Sequence, residues 1–270
     1  MTRILSGAAL ISFVFVTLWL GPEPVVFVVA QLFLILAFVE YAHLANACGL
    51  PIPRLAAGVA TVATSIGVSS TYWVGETILG TAVFLDAALM SAFVVLAATS
   101  LLSWSGDRNA LAVAAASIFP ALYLGLPFGA MMSVRHLRGR EALVLLLLTV
   151  AASDTAQYYS GRSFGKRLLA PRISPKKTVA GAVGGFVAGA LLVGVVGEWW
   201  LRGMPLALRL LLGATMVALG IAGDLFESML KRSAGVKDSS TLIPGHGGVL
   251  DRIDALLFVA PIYYIVLKYS

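Results

Sequence analysis

Charged residues are scarce in this chain. Asp, Glu, Lys and Arg make up 12% of its 270 residues, and hydrophobic types make up 59%. A soluble domain carries about 25% charged residues, so the polar surface here is too small to cover a water-soluble globule. A soluble protein with a large core would show amphipathic periodicity. Most apolar segments here are apolar on every face, which points to a membrane-embedded chain. Cysteine is nearly absent: the single Cys48 excludes an internal disulfide framework and says little about compartment. Histidine is sparse as well. His43, His136 and His246 are too scattered in sequence for a local zinc motif. There is no evident internal repeat and no low-complexity linker.

What is present is a succession of nine apolar segments: Ile4–Leu20, Val25–Ala45, Leu55–Val68, Thr81–Leu102, Ala110–Leu126, Ala142–Ser160, Val179–Val196, Leu206–Phe226 and Ala255–Leu267. A crossing helix needs about 20 residues, so the short third and ninth read as partial or tilted spans. The first follows one basic residue. No small-residue cleavage site precedes Gly21, which favours a retained helix over a cleaved signal peptide. Pro22, Pro24, Pro51, Pro53, Pro205 and Pro244 fall between segments, where helices stop. The expected fold is all-α, a polytopic membrane protein with about nine transmembrane helices. It reads as a single membrane domain over 1–270. Residues 1–140 supply lipid-facing, structural helices, and 141–270 supply catalytic helices with polar loops at 153–178 and 228–254.

Nine spans place the N-terminus on one side with the connections after helices two, four, six and eight. That side carries Arg3, Arg54, Arg108, Arg162, Lys166, Arg167, Arg172, Lys176, Lys177, Lys231, Arg232, Lys237 and Arg252, which are 13 of the 19 basic residues. The positive-inside rule puts it in the cytoplasm. Arg135, Arg138 and Arg140 on the opposite side weaken this orientation without reversing it. A count of eight or ten would move the termini but would keep the two polar connections together, because two helices separate them.

The first connection, SDTAQYYSGRSFGKRLLAPRISPKKT, runs from Ser153 to Thr178. Asp154 sits at membrane-helix depth, where an acid is expensive unless paired or functional. Arg162, Lys166, Arg167, Arg172, Lys176 and Lys177 follow, with Gly161 and Gly165 allowing close backbone approach. Ser174-Pro175 breaks the chain before a new helix, with Lys176 and Lys177 expected in its first turn. By composition alone the stretch reads as a topogenic basic loop touching anionic headgroups. The spaced glycines and Asp154 argue instead for a phosphate site.

The second connection, GDLFESMLKRSAGVKDSSTLIPGHGGVLDRID, runs from Gly223 to Asp254. Asp224, Glu227 and Ser228 share one helical face, and Asp251 and Asp254, three apart at the start of the last helix, share another. Two helix ends thus bring up to four carboxylates toward one place, flanked by Lys231, Arg232, Lys237 and Arg252. Between them lies Pro244-Gly245-His246-Gly247-Gly248, a compact turn with exposed amides. Oxygen ligands on paired helix ends suit Mg²⁺, and basic side chains with glycine amides suit phosphate. This equipment serves phosphoryl or nucleotidyl transfer, in which a protein mostly positions reactants and neutralises charge. A hairpin held by ion pairs is the plainer alternative, but it has no need of PGHGG. His246 reads as a structural or phosphate-contacting residue. A phosphate nucleophile is already ionised at neutral pH, so no general base is required. His43, beside Glu40 and Tyr41, is expected in an intramembrane polar pair or a headgroup contact. Asp86, alone in the fourth span, has no obvious partner.

The string SMLKRSAGVKDSSTLIPGHGGVLDRID, Ser228 to Asp254, resembles the phosphatidate cytidylyltransferase (CDP-diacylglycerol synthase) family pattern S-x-x-K-R-x4-K-D-x5-P-G-H-G-G-x2-D-R-x-D at every fixed position. The upstream DTAQYYSGRSFGK and ISPKKT also look like this family. Gln157 stands where Ala is usual, and Ala180 stands where Glu or Gln is usual. The resemblance is strong over Asp154 to Asp254 and loose over the N-terminal half. It implies a bacterial-type membrane enzyme that converts CTP and phosphatidic acid to CDP-diacylglycerol and pyrophosphate with Mg²⁺. Carried over by position, Asp224, Asp251 and Asp254 hold the metal centre. Lys231, Arg232, Lys237, Arg162, Lys166, Lys176 and Lys177 contact phosphates, and Asp238 orients a lysine or a second cation. Asp154, Ser174, Ser228, Gly247, Gly248 and Arg252 fall on the substrate side, and His246 within the catalytic turn. The resemblance further implies the cytoplasmic (inner) membrane, an active site facing the cytoplasm, a homodimer, and no nucleic-acid partner.

Two other readings compete. A CTP-dependent lipid kinase is distantly similar but transfers the γ-phosphate, and the complete PGHGG-x2-DR-x-D element favours the cytidylyltransferase. A transporter would spread intramembrane acids through several spans, whereas the charges here cluster at one face.

Overall fold

A computed structural model of the chain describes residues 2–70, 78–102, 104, 106, 109–243, 245 and 247–270. Arg108, Pro244 and His246, all named above, lie outside the described residues. The helices are α1 (Thr2–Leu20), α2 (Glu23–Ala47), α3 (Arg54–Val68), α4 (Ile78–Leu102), α5 (Ala110–Pro120), α6 (Leu126–Phe164), α7 (Val179–Trp200), α8 (Leu206–Ser233) and α9 (Leu250–Tyr269). A π-helical turn, Ala121–Gly125, joins α5 to α6 immediately after Pro120. Proline has no N–H to donate and crowds the preceding turn, so the helix widens there rather than running on regularly.

Prolines also set the starts. Pro24 lies in the first turn of α2, and Pro53 and Pro205 precede α3 and α8. The missing donor costs nothing there, because first-turn N–H groups have no intrahelical partner. Gly139, at φ +82°, breaks α6 in its middle. Only glycine adopts that conformation without strain, so two rods meet where Arg135, Arg138 and Arg140 cluster.

Those arginines are engaged. Arg135 donates to Leu18 O and Gly21 O, both at 2.7 Å, and Arg140 donates to Trp19 O at 2.8 Å. Arg138 donates to Leu267 O at 2.8 Å. Guanidinium groups thus cap the last turns of α1 and α9, where carbonyls are unpaired and the helix dipole is negative. Arg209 pairs with Glu198 at the same end, between α7 and α8.

Among the described residues, Glu23–Ala47, Leu85–Leu102, Ala110–Phe164, Val179–Trp200 and Leu206–Ser233 are long and apolar enough to cross a membrane. The fold is nearly all-α rather than all-α. Within the first polar connection, β1 (Leu168–Ala170) pairs antiparallel with β2 (Ser174–Thr178). This corrects two expectations. Lys176 and Lys177 lie on β2 rather than in a first helical turn, because Pro175 favours extended backbone at Ser174, and because the cap of α7 is Thr178, whose Oγ1 accepts from Gly181 N at 3.1 Å. Within the loop bounded at 153–178, residues 153–164 continue α6 as helix, as the apolar segment Ala142–Ser160 anticipated as far as Ser160.

The C-terminal helices pack closely. On α7, Gly181, Gly185 and Gly189 face inward, and a Cβ at Gly185 would come within 2.6 Å of Gln157 Cγ. Such a stripe of small residues lets helices approach where lipid offers no hydrophobic drive. Tyr263, fully buried on α9, donates to Ala142 O on α6 at 3.0 Å. These contacts bring the ends of α6, α8 and α9 together with β2.

Candidate functional site

Two neighbouring groups of acids occupy that end. The first joins α8 to α9. Lys231 Nζ bridges Glu227, one turn earlier on α8, and Asp251 Oδ1, at 2.5 Å. The side chains of Glu227 and Asp251 are 0% and 5% exposed, so each buried charge needs partners. Asp251 Oδ2 also accepts from Ser239 N at 2.9 Å, Ser239 Oγ at 2.8 Å and Gly248 N at 2.8 Å. Burial by itself would push the Asp251 carboxyl up. The hydrogen bonds from Lys231 and from the Gly248 and Ser239 amides outweigh it and hold the carboxyl at about 2.

The second group is Asp154 of α6, Asp224 of α8 and Asp254 of α9, which act on one another electrostatically. Lys177 of β2 reaches Asp224 Oδ2 at 2.5 Å, the direct ion pair to these three among the described residues. Ser228 Oγ donates to Asp224 Oδ1 at 3.3 Å, and Gln157 Nε2 donates to Asp154 Oδ1 at 3.2 Å. Gln157, the departure from the family pattern, is therefore a neighbour of the acids. Arg252 acts on Asp154 from α9. The three acids thus share one contacting lysine, with Arg252 and Lys231 acting on them from farther off.

The other basic residues lie around this core. Arg162, Lys166, Lys176, Arg232 and Lys237 are exposed, as is Asp238, while Ser174 is half-buried at the start of β2. Arg162 reaches Tyr158 Oη at 3.4 Å, and Arg232 donates to Val236 O at 3.1 Å.

The glycine turn is held by its own chain. Ile243 N donates to Gly247 O at 2.8 Å, and Gly247 sits at φ +79°, where an added Cβ would come within 2.5 Å of Asp251 Oδ2. The Gly248 amide, expected to face phosphate, is already given to Asp251. A buried carboxylate draws the donors nearest to it.

An aromatic group neighbours the acids, with Glu227 and Asp254 acting electrostatically on Tyr123. Phe119 and Tyr123 stack at 5.1 Å between centroids, and Phe226 and Phe258 pack at 5.4 Å. Tyr123 meets Phe226 edge-on at 5.5 Å. The π-helical turn carries Tyr123 into this group, which belongs to the hydrophobic core of the bundle.

Glu40 of α2 is the residue that sequence reasoning placed elsewhere. It is 3% exposed and accepts four hydrogen bonds from the loop before α9. Ser240 Oγ at 2.7 Å and Val249 N at 2.9 Å reach Oε1, while Ser239 Oγ at 2.9 Å and Leu250 N at 2.8 Å reach Oε2. Its partners are this loop rather than His43, which is exposed. A lone acid in an apolar helix was the available signal; nothing in the pattern named partners about 200 residues away.

Among the described residues, no three His, Cys, Asp or Glu side chains are gathered as a preformed metal cage. Mg²⁺ seldom requires one, since it keeps waters and binds through one or two carboxylates plus substrate phosphates.

A family model described as "Cytidylyltransferase family" matches residues 1–270. The phosphatidate cytidylyltransferase of Haemophilus influenzae is 43% identical over 134 residues, 46% of this chain and 45% of that protein. That of Synechocystis sp. is 48% identical over 127 residues, 47% of this chain and 43% of that protein. That of Bacillus subtilis is 39% identical over 149 residues, 54% of this chain and 55% of that protein. The chain spans about half the length of the curated relatives it matches.

Proposed function

The chain belongs to the cytidylyltransferase family, and from that premise we propose that it is an integral membrane enzyme converting CTP and phosphatidic acid to CDP-diacylglycerol and pyrophosphate in phospholipid synthesis. The observation that carries the reading is the placement of Asp154, Asp224 and Asp254, from three helices, within electrostatic reach of one another, with Lys177 on Asp224. An oxygen of the phosphatidate phosphate attacks the α-phosphorus of CTP. The bond from that phosphorus to the oxygen bridging to the β-phosphate breaks, and pyrophosphate leaves with the electron pair. The attacking phosphate is an anion at neutral pH, so the site needs charge neutralisation and alignment rather than a base.

Each residue has work in that scheme. Exposed Arg162, Lys166, Lys176, Arg232, Lys237 and Arg252 meet the phosphates of both substrates, with Ser174 and Ser228 as hydroxyl donors. Asp238 orients the lysine beside it. Lys177 bridges β2 to Asp224, and Lys231 fixes α8 to α9 through Glu227 and Asp251. Mg²⁺ fits the hard oxygens of Asp224 and Asp254, with Asp154 beside them, since it binds through one or two carboxylates plus substrate phosphates. Bound there, Mg²⁺ would neutralise charge developing on the leaving pyrophosphate. Asp251, placed among the metal ligands by position in the family pattern, enters this reading as the residue that orients the start of α9.

With CTP labelled at the α-phosphate, the purified chain is expected to put label into lipid. Label at the γ-phosphate is expected to leave as pyrophosphate. Lipid carrying γ-label would identify a lipid kinase and sink the proposal. EDTA is expected to stop the reaction and Mg²⁺ to restore it; turnover in EDTA would remove the metal from the scheme.

The proposal also includes nine crossings of the cytoplasmic membrane within one domain, with the site on the cytoplasmic side. The break at Gly139 supports this count by dividing α6 into two rods. Cys48, exposed just after α2, is the natural reporter. A membrane-impermeant maleimide is expected to label it in inside-out vesicles and not in intact cells; the reverse would invert the topology. A homodimer is proposed on family resemblance alone, and light scattering of the detergent-solubilised chain checks it.

A further inference from the structure

We infer that Glu40, in the N-terminal half of the chain, is the positioning residue that sets how α9 presents Asp251 and Asp254, an inference resting on the cytidylyl-transfer reading above. Helix α9 has no side-chain cap of its own: its N-cap, Val249, supplies none. The first N–H groups of a helix lack intrahelical partners. Here Val249 N and Leu250 N donate to the two carboxylate oxygens of Glu40, on another helix. A negative charge at that end also meets the favourable pole of the helix dipole.

The remaining lone pairs take Ser239 Oγ and Ser240 Oγ. Every donor to this buried carboxylate therefore comes from the 239–250 segment, and no ion pair among the described residues includes it. Leaving the segment would strand a charge in a low-dielectric setting, which is costly. The segment is thus locked to α2.

The link to the acids is direct. Ser239 Oγ lies 2.9 Å from Glu40 Oε2 and 2.8 Å from Asp251 Oδ2, with one proton to give. Gly248 N, adjacent to the two amides that Glu40 holds, donates to Asp251 Oδ2. Asp254 follows one turn along α9. Glu40 therefore fixes the height and rotation of the first turn without touching a reacting atom.

Glutamine is not a neutral replacement. Its carbonyl oxygen accepts from one pair of donors, but its NH₂ then faces a backbone N–H that cannot turn away. In the purified full chain, Glu40→Gln is expected to lower kcat per folded molecule about 100-fold, the scale of a misplacement near 1 Å, with KM for phosphatidic acid unchanged. Ser240→Ala, which removes one of the four bonds, is expected to lower kcat several-fold in the wild-type background and to have no further effect beside Glu40→Gln. A role in stability alone would lower the thermal midpoint and leave kcat per folded molecule at the wild-type value, which would overturn the inference. Should Glu40→Gln fail to fold, Glu40→Asp with Ser240→Ala gives the same cycle, and additive effects on kcat would overturn it.

Hydrogen exchange separates this inference from the assigned chemistry. Faster exchange at the Val249 and Leu250 amides in Glu40→Gln is expected whatever the substrate, and unchanged exchange there overturns the inference by itself. Absence of α-label transfer by the wild-type chain would overturn only the assigned reaction.

Discussion

Asp251→Ala is expected to reduce lipid labelling from α-labelled CTP by at least about 10²–10³-fold, the range for losing one preorganised electrostatic contact, and to destabilise the fold by about 3–5 kcal/mol. The stability loss follows from what the carboxylate holds. Lys231 Nζ, Ser239 N and Gly248 N donate to it, and it shares the one Ser239 Oγ proton with Glu40, so alanine leaves Lys231 with Glu227 alone. The lysine is pinned between two helix ends, so it cannot reach water without drawing α8 from α9. Asp251→Asn keeps the shape and one acceptor, but its NH₂ must face either Lys231 or the Ser239 and Gly248 amides. It is expected to recover part of the stability and little of the activity. Denaturant unfolding beside the labelling assay checks both, and Asp251→Ala with wild-type labelling would refute the positioning assigned to this residue.

Gly248→Ala is expected to lower activity about 100-fold and stability by about 1–3 kcal/mol. A Cβ there would overlap Ser239 Oγ and the Glu40 carboxylate. A flexible side-chain end would yield cheaply, but this carboxylate is fixed by four donors and the hydroxyl by two acceptors. The backbone must move instead, carrying the Gly248 N donor away from Asp251. The rate per folded molecule and the unfolding midpoint measure the two effects, and a Gly248→Ala chain with wild-type kinetics would show that the turn adapts without disturbing the acids.

Much of this was legible in the sequence. Asp224 with Ser228, and Asp251 with Asp254, were placed on shared faces by helical spacing alone, and the structure has them on α8 and α9, with Asp251 on Lys231 and Asp224 on Lys177. Helix starts at Pro24, Pro53 and Pro205 follow from a proline's lack of a donor. The hairpin at Leu168–Thr178 was not legible: its strands are three and five residues long, too short to show a period of two. Glu40 was visible as an oddity without a role, because intramembrane acids advertise a cost and not a partner. The Gly248 amide was misjudged for a related reason. Composition shows that a donor exists, and only the fold shows that a carboxylate already holds it.

The three arginines around the Gly139 break bear on how charge is divided between the two ends of the bundle. Counted as formal charge, they oppose the bias carried by the site end. Each, however, is docked on the carbonyl pole of a helix, Arg135 and Arg140 on α1 and Arg138 on α9. A cation on a carbonyl pole shares its field with that dipole, even where, as at Arg138 and Arg140, the side chain stays exposed. The arginines of this corner thus close helix ends as well as carrying charge. Of the three, Arg135 is buried, so the corner shows two exposed cations against the larger set of exposed lysines and arginines that surrounds the acids.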